Sequence, residues 1–247
     1  MRRLRTIAAI YRRELSAYLA TLWAPIFIAI FVASATILPF QTRGLFENEQ
    51  ADIGPFFQLV PWLLLIFASA FGMKLWSEEV KNGTFELLLS APMPIGSIVV
   101  GKFLAAWSVF AAALILTFPL WLVFSFLGPV DHGATAIAYM GCLMAAGVYL
   151  AISSAMSAFT SNQVLALVLA SVVSFVVTAS GLSVFGDITR QAFGGEIAHA
   201  IEAMTILDHL ETTQRGVLEA RTLIYFSTSI AFWLAITGLF VSARRSQ

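Results

Sequence analysis

FFQLVPWLLLIFASAFGMKL, residues 56–75, carries one charge, Lys74, in a run as long as the ~20 residues that a helix needs to cross a bilayer. It continues into SEEVKNGTFELLLSAPMP, residues 77–94, where Glu78, Glu79, Lys81 and Glu86 crowd together before another long apolar run begins. An apolar span, a short charged interruption and a second span make a hairpin of membrane helices. The rest of the chain repeats that pattern: 59% of the 247 residues are hydrophobic and only 11% charged, against about 25% in soluble domains. The longest stretch without a clear span runs from about residue 184 to 221, so the expectation is one integral membrane domain over residues 1–247.

Six spans are predicted: Leu22–Phe40, Phe56–Leu75, Ile98–Leu127, Ala134–Phe159, Val164–Val184 and Leu223–Val241. The third and fourth exceed one bilayer thickness, which predicts tilt or projection beyond it. With the N-terminus in the cytoplasm, Arg2, Arg3, Arg5, Arg12, Arg13, Lys74, Lys81, Lys102, Arg244 and Arg245 lie inside and Arg43, Arg190, Arg215 and Arg221 outside. Ten of the 14 basic residues on the inner side favour both termini inside. The stretch 77–94 is then cytoplasmic.

Ahead of the first span, Leu4, Ile7, Tyr11, Leu15, Tyr18 and Leu22 recur at helical spacing with Arg5, Arg12 and Arg13 opposite, predicting an amphipathic helix in the inner interface. A signal peptide cleaved after Ala33-Ser34-Ala35 is the competing reading, and Glu14 and Pro25 count against it. Short amphipathic helices on the outer surface, either lying on the membrane or dipping into it, are predicted in the segment 194–220, where Ile197, Ile201, Met204 and Leu207 share a face; a solvated loop is the alternative.

Most motifs dissolve on inspection. Gly96-Ser97-Ile98-Val99-Val100-Gly101-Lys102-Phe103 fits a phosphate-binding loop except at its last position, but Phe103 offers no hydroxyl to magnesium and bulky residues stand where backbone must wrap phosphate. His132, His199 and His209 form no metal-binding pattern, and Asp208-His209 with Glu211 reads as a solvated face. The single cysteine, Cys142, excludes an intrachain disulfide. No ionisable residue lies near the middle of a predicted span, which argues against ion-coupled transport and intramembrane acid-base catalysis. Gly147, Ala151 and Ala155, and Ala166, Ala170, Ser174 and Thr178, recur at packing intervals, with Ser171, Ser174 and Thr178 as candidate pathway-lining residues.

Within 77–94, Asn82-Gly83 supplies a turn, and a short helix from Thr84 puts Phe85, Leu88 and Leu89 on one face until Pro92 ends it. A helix this short is stable only with that face buried, against lipid, the N-terminal helix or a partner.

The chain resembles the permease subunits of ABC-2 type transporters, in particular the six-span branch that includes gliding-motility and nitrous-oxide-reductase maturation permeases. Three segments carry the resemblance: Tyr11-Arg12-Arg13-Glu14-Leu15-Ser16-Ala17-Tyr18; Glu78-Glu79 with Gly83-Thr84-Phe85-Glu86-Leu87-Leu88-Leu89-Ser90-Ala91-Pro92 and Gly101-Lys102-Phe103; and His209-Leu210-Glu211 with Arg215-Gly216-Val217-Leu218 and Tyr225-Phe226. Thr212-Thr213-Gln214 stands where aromatic residues are expected. The resemblance implies an all-α permease of an ATP-driven exporter in a bacterial inner membrane, with a cytoplasmic coupling helix seated on a separate ABC ATPase. Glu78, Glu79, Thr84, Phe85, Glu86, Leu87 and Leu88 would form that contact, aided by Arg12, Arg13 and Glu14. It also implies no catalysis or cofactor on this chain, ATP and magnesium being held by two ATPase copies. A second or related permease copy, the lipid bilayer and a periplasmic or membrane accessory protein are the other implied partners, with none for nucleic acid. The alternative is a membrane-embedded small-ligand binding component of an energy-coupled uptake system.

Overall fold

The computed structural model describes residues 2–42, 53–83, 85, 93–180 and 205–245. They form helices α1 (Arg2–Ala20), α2 (Trp23–Thr42), α3 (Gly54–Gly72), α4 (Lys74–Lys81), α5 (Ile95–Leu116), α6 (Phe118–Leu127), α7 (His132–Phe159), α8 (Gln163–Ala179), α9 (Ile206–Gln214) and α10 (Ala220–Arg245). No strand occurs among the described residues. Five helical stretches are long and apolar enough to cross a membrane: Trp23–Gln41, Gly54–Lys81, Ile95–Leu127, His132–Phe159 and Ala220–Arg244. Each covers a predicted span with its ends shifted by a few residues. The exception is the predicted fifth span, where α8 is an apolar helix of 17 residues and residues 181–184 lie outside the described part.

The third predicted span overruns the bilayer because it is two helices. Thr117 breaks it: its Oγ1 donates to the Leu114 carbonyl at 2.7 Å, and Pro119, just inside α6, has no N–H to continue the ladder. Helices α7 and α8 start on side-chain caps. Asp131 accepts from the backbone N–H groups of Gly133 and Ala134, and Asn162 from those of Val164 and Leu165.

Helix α7 is the hub, packed against α3, α4, α5, α8, α9 and α10. Small residues let neighbours in. A Cβ on Gly72 would lie 2.3 Å from Ser153 Oγ, and one on Gly147 would lie 2.8 Å from Ile230 Cδ1, so α3 and α10 both cross α7 at close range. Phe57 packs on Tyr139, Gly72 on Ser153, Ile230 on Gly147, and Arg244 donates to the Phe159 carbonyl at 2.8 Å. These contacts make α3 and α10 parallel to α7. A cluster of edge-on rings, Phe27 with Phe67, Phe71 and Phe110 at 4.9–5.2 Å, joins α2, α3 and α5 on the other side of the core.

Helix α8 returns only part of the way along α7. Thr178, one residue from its end, meets the Tyr149 hydroxyl at 2.8 Å, and Tyr149 stands ten residues, or about 15 Å, from the α7 C-terminus. The return is completed by α9. Thr205 meets Ser180 at 2.7 Å, Thr213 lies against Gly141, and Gly216, at φ +77°, lies against Ala134. Helix α9 therefore runs antiparallel to α7, with Ile206, His209, Leu210 and Thr213 buried. Burial of His209 corrects the solvated face expected for it: the polar residues here are inside because they are bonded, Gln214 to the Phe57 carbonyl and His209 to Thr222. The residues Ile197, Ile201 and Met204 expected to share the α9 face lie outside the described part.

Helix α1 keeps part of its predicted face, with Ile7, Tyr11, Leu15 and Tyr18 half-buried and Arg5, Arg12 and Arg13 exposed, but its deepest residues are others. Leu4 and Leu22 are 73% and 76% exposed, whereas Ile10 and Glu14 are buried. Hydropathy spacing alone does not register that Gly101 leaves room for Ile10, nor that a lysine 88 residues away draws Glu14 inward.

Candidate functional site

The described residues of the charged stretch and the end of α1 meet at one end of the bundle. Lys102, in the second turn of α5, is 3% exposed. Its Nζ lies 2.8 Å from Glu79 Oε1, 3.2 Å from Glu14 Oε2 and 3.3 Å from the Leu75 carbonyl, with the Trp76 ring centroid at 5.4 Å. Arg13 donates to Glu14 Oε1 at 2.6 Å. One ammonium thus ties α1, α4 and α5 together. Burial raises the Glu14 pKa, but the charge of Lys102 and hydrogen bonds from Arg13 and Lys102 outweigh it and hold the carboxyl below its ordinary value. The hydrogen bond with Glu14 in turn raises the Arg13 guanidinium.

Position 101 is what brings α1 this close. A Cβ there would lie 2.8 Å from Ile10 Cγ2 and 3.2 Å from the Ile7 carbonyl. Residues 96–103, the apparent phosphate loop, are helical, and their Gly101-Lys102 pair docks α1 instead. Tyr11 extends the contact by meeting Ser108 at 3.1 Å.

A second constraint acts on α4. The chain kinks at Met73, and the first turn of α4 has N–H groups with no partner in their own helix. Ser157 of α7 supplies one: its Oγ accepts from the backbone N–H groups of Trp76 and Ser77 at 3.0 and 3.1 Å and donates to the Met73 carbonyl at 2.7 Å, filling the hydroxyl's capacity. Ser154 Oγ accepts from Trp76 Nε1 at 3.0 Å, Ser153 donates to the Ser69 carbonyl, and Ser77 Oγ bonds the Met73 carbonyl. Trp76 is fully buried. Helix α4 is therefore held to α7 through backbone and side chain together.

At the end of α4, Asn82 and Gly83 turn the chain, Gly83 at φ +69°, a conformation open to glycine and strained for other residues. Phe85 follows, buried and edge-on to Trp76 at 6.4 Å. Thr84, Glu86, Leu87, Leu88, Leu89 and Pro92 lie outside the described residues. Of the acidic pair, Glu79 faces Lys102 and Glu78 is exposed; Arg12 is exposed and Arg13 is mostly so. The proposed lining residues split: Ser174 and Thr178 are buried, Thr178 on Tyr149 of α7, and Ser171 is half-buried. His209, expected on a solvated face, is 6% exposed and stacks on Tyr225 at 4.2 Å, while Asp208 and Glu211 are exposed. Among the described residues no group of three or more His, Cys, Asp or Glu side chains could hold a metal ion.

Sequence reasoning placed Lys102 in the family resemblance without giving it a role, and passed over Trp76 and Ser157. A signal existed for the first: Glu14 is the sole acid of an arginine-rich helix, and Lys102 is the sole charge of a long apolar one.

A family model described as "ABC-2 family transporter protein" matches residues 29–242, which takes in Glu79, Lys102 and Ser157 and leaves α1 outside. No curated protein matches the chain. A match over most of the chain, on a helical bundle with five apolar span-length helices, places the protein in the ABC-2 transporter family, as a multi-pass membrane permease.

Proposed function

We propose that this chain is the six-span permease subunit of an ATP-driven ABC-2 exporter, lying in a bacterial inner membrane with both termini in the cytoplasm. The observation that carries this reading is the anchoring of α4. The helix that leads into residues 82–92 is joined to α1 and α5 by Lys102 and to α7 by Ser157. A push delivered to that segment by a separate ATPase reaches three elements of the bundle through short, desolvated contacts. Phe85, packed on Trp76, anchors the start of the coupling segment; Glu86, Leu87 and Leu88 are the residues offered to the ATPase, and Arg12 flanks the contact.

Crossing number and orientation fit together. Helices α7 and α10 run parallel, which supports a return between them, and we take α8 with α9 as the sixth crossing. The basic excess at the α1 end supports placing that end in the cytoplasm. ATP and magnesium belong to two ATPase copies. A second permease copy, identical or related, completes the path, and the exposed apolar face of α8, Val164, Val168, Val172 and Val176, suits either that copy or lipid. The family match favours this reading over small-ligand capture for an uptake system.

The test is Glu86→Lys with Leu88→Asp. The expected result is loss of ATPase pull-down and of transport with the melting temperature of the purified chain unchanged. Retention of both activities in that variant overturns the assignment.

A further inference from the structure

Beside the Lys102 brace lies a cavity of about 360 Å³ between the end of α1, the start of α2 and the α3–α4 kink, lined by Tyr18, Thr21, Trp23, Lys74, Glu78 and Lys102 among others. Three of its carboxylates and ammoniums are already engaged, since Lys102 holds Glu14 and Glu79. Lys74 and Glu78 remain. They stand one helical turn apart on α4, yet Lys74 makes no ion pair with Glu78: its Nζ sits 3.7 Å above the Trp23 ring. The cavity thus presents one cation and one exposed carboxylate side by side.

Trp23 also borders a second cavity, of about 190 Å³, lined by Ile26, Phe27, Ile30, Ile66, Phe67 and Ala70. Its residues follow Trp23 along α2 and precede Lys74 along the chain, so it lies next to the first cavity across Trp23 and runs for about 10 Å along the apolar length of the bundle, from residue 23 to 30. Ile26, Ile30 and Ile66 are more than half exposed. A pocket bearing charged side chains and an apolar groove on a span, meeting at Trp23, together suit an amphiphile.

We infer that these two cavities form one phospholipid site, taking a phosphoethanolamine headgroup between Lys74 and Glu78 and an acyl chain along Ile26, Ile30, Ile66 and Ala70. The phosphate pairs with Lys74, and the ammonium donates to Glu78, which a choline cannot do. The full set of lining charges is three carboxylates against two ammoniums, which disfavours an anionic headgroup. Occupancy wedges α1, α2 and α4 together at the end of the bundle where the brace lies. The site is independent of which leaflet that end faces.

Native mass spectrometry of the purified permease, delipidated and titrated with phosphatidylethanolamine, phosphatidylcholine, phosphatidylglycerol and water-soluble glycerophosphoethanolamine, tests it. Phosphatidylethanolamine is expected to give a retained adduct at least tenfold more stable than the other two lipids, with no displacement by the soluble headgroup. Lys74→Gln should weaken that adduct about tenfold or more, the loss of one charge-assisted hydrogen bond. Glu78→Gln should remove the preference over phosphatidylcholine. Ala70→Trp fills the groove without touching the headgroup and should weaken all lipid adducts, with monodisperse elution as the check on folding. Equal adducts for all headgroups, displacement by glycerophosphoethanolamine, or a change of oligomeric state rather than of lipid binding in Ala70→Trp would each overturn the site.

Discussion

Replacing Lys102 by methionine removes a side chain that is 4% exposed and leaves Glu14 and Glu79, 11% and 20% exposed, facing each other. Arg13 still reaches Glu14 at 2.6 Å, but its side chain is 55% exposed and it is a poor substitute for a buried cation. Breaking a buried pair by removing one partner costs about 3–5 kcal/mol, because the remaining charge has lost its countercharge without regaining water. For a chain of this size that corresponds to a fall in melting temperature of about 6–20 °C. The loss should be specific to the charge, so Glu14→Gln and Glu79→Gln in the same chain should recover at least half of it, as an apolar side chain between two amides has no ion to desolvate. Tryptophan fluorescence melting of the purified chain reads the stability, and limited proteolysis reads whether α1 has left α5. If Lys102→Met melts within about 2 °C of the parent, or if the triple variant is no more stable than the single one, the brace does not hold these helices together.

Ser157→Ala leaves the Trp76 and Ser77 N–H groups and the Met73 carbonyl without their α7 partner, at a cost of about 1–3 kcal/mol; the expected phenotype is intact ATPase binding with transport reduced by at least half, measured in proteoliposomes against pull-down. Glu14 makes α1 docking sensitive to acid. Its folded pKa lies below the unfolded value of about 4.5, so its contribution is complete above that value and is lost as pH falls through the lowered one. Melting temperature measured from pH 6 to 3 should drop less steeply in Glu14→Gln than in the parent over the range below 4.5, and parallel curves would refute the role given to Glu14.

The positions of the helices were largely legible because each apolar run is bounded by charge or by a cap, as with Asp131 ahead of α7 and Asn162 ahead of α8. What pattern reading missed came from contacts distant in sequence. The buried face of α1 is set by Gly101 and Lys102 on another helix, and a periodicity of hydrophobic residues cannot show that a glutamate is the deepest polar group of its helix. Likewise α9 reads as a surface segment since His209, Thr213 and Gln214 are polar; each has a partner or a snug neighbour that makes burial tolerable. Asn82-Gly83 was readable as a turn from its two residues alone. The α3–α4 kink was not, because no proline or glycine pair marks Met73 and its stabilising hydroxyls come from a helix about 80 residues further on.

Energy transfer through α4 can be tested at one residue. The native Cys142 is buried and Lys81, at the end of α4, is exposed, so Lys81→Cys gives a chain with a single accessible thiol. A short thiol-reactive photocrosslinker on that cysteine, in membranes containing both the permease and its ATPase, is predicted to yield a permease–ATPase adduct and to be labelled only from the cytoplasmic side. Labelling from the opposite side, or an adduct formed equally well from a cysteine at the far end of the bundle, at Asp131, contradicts the assignment of α4 as the input for ATP-driven movement.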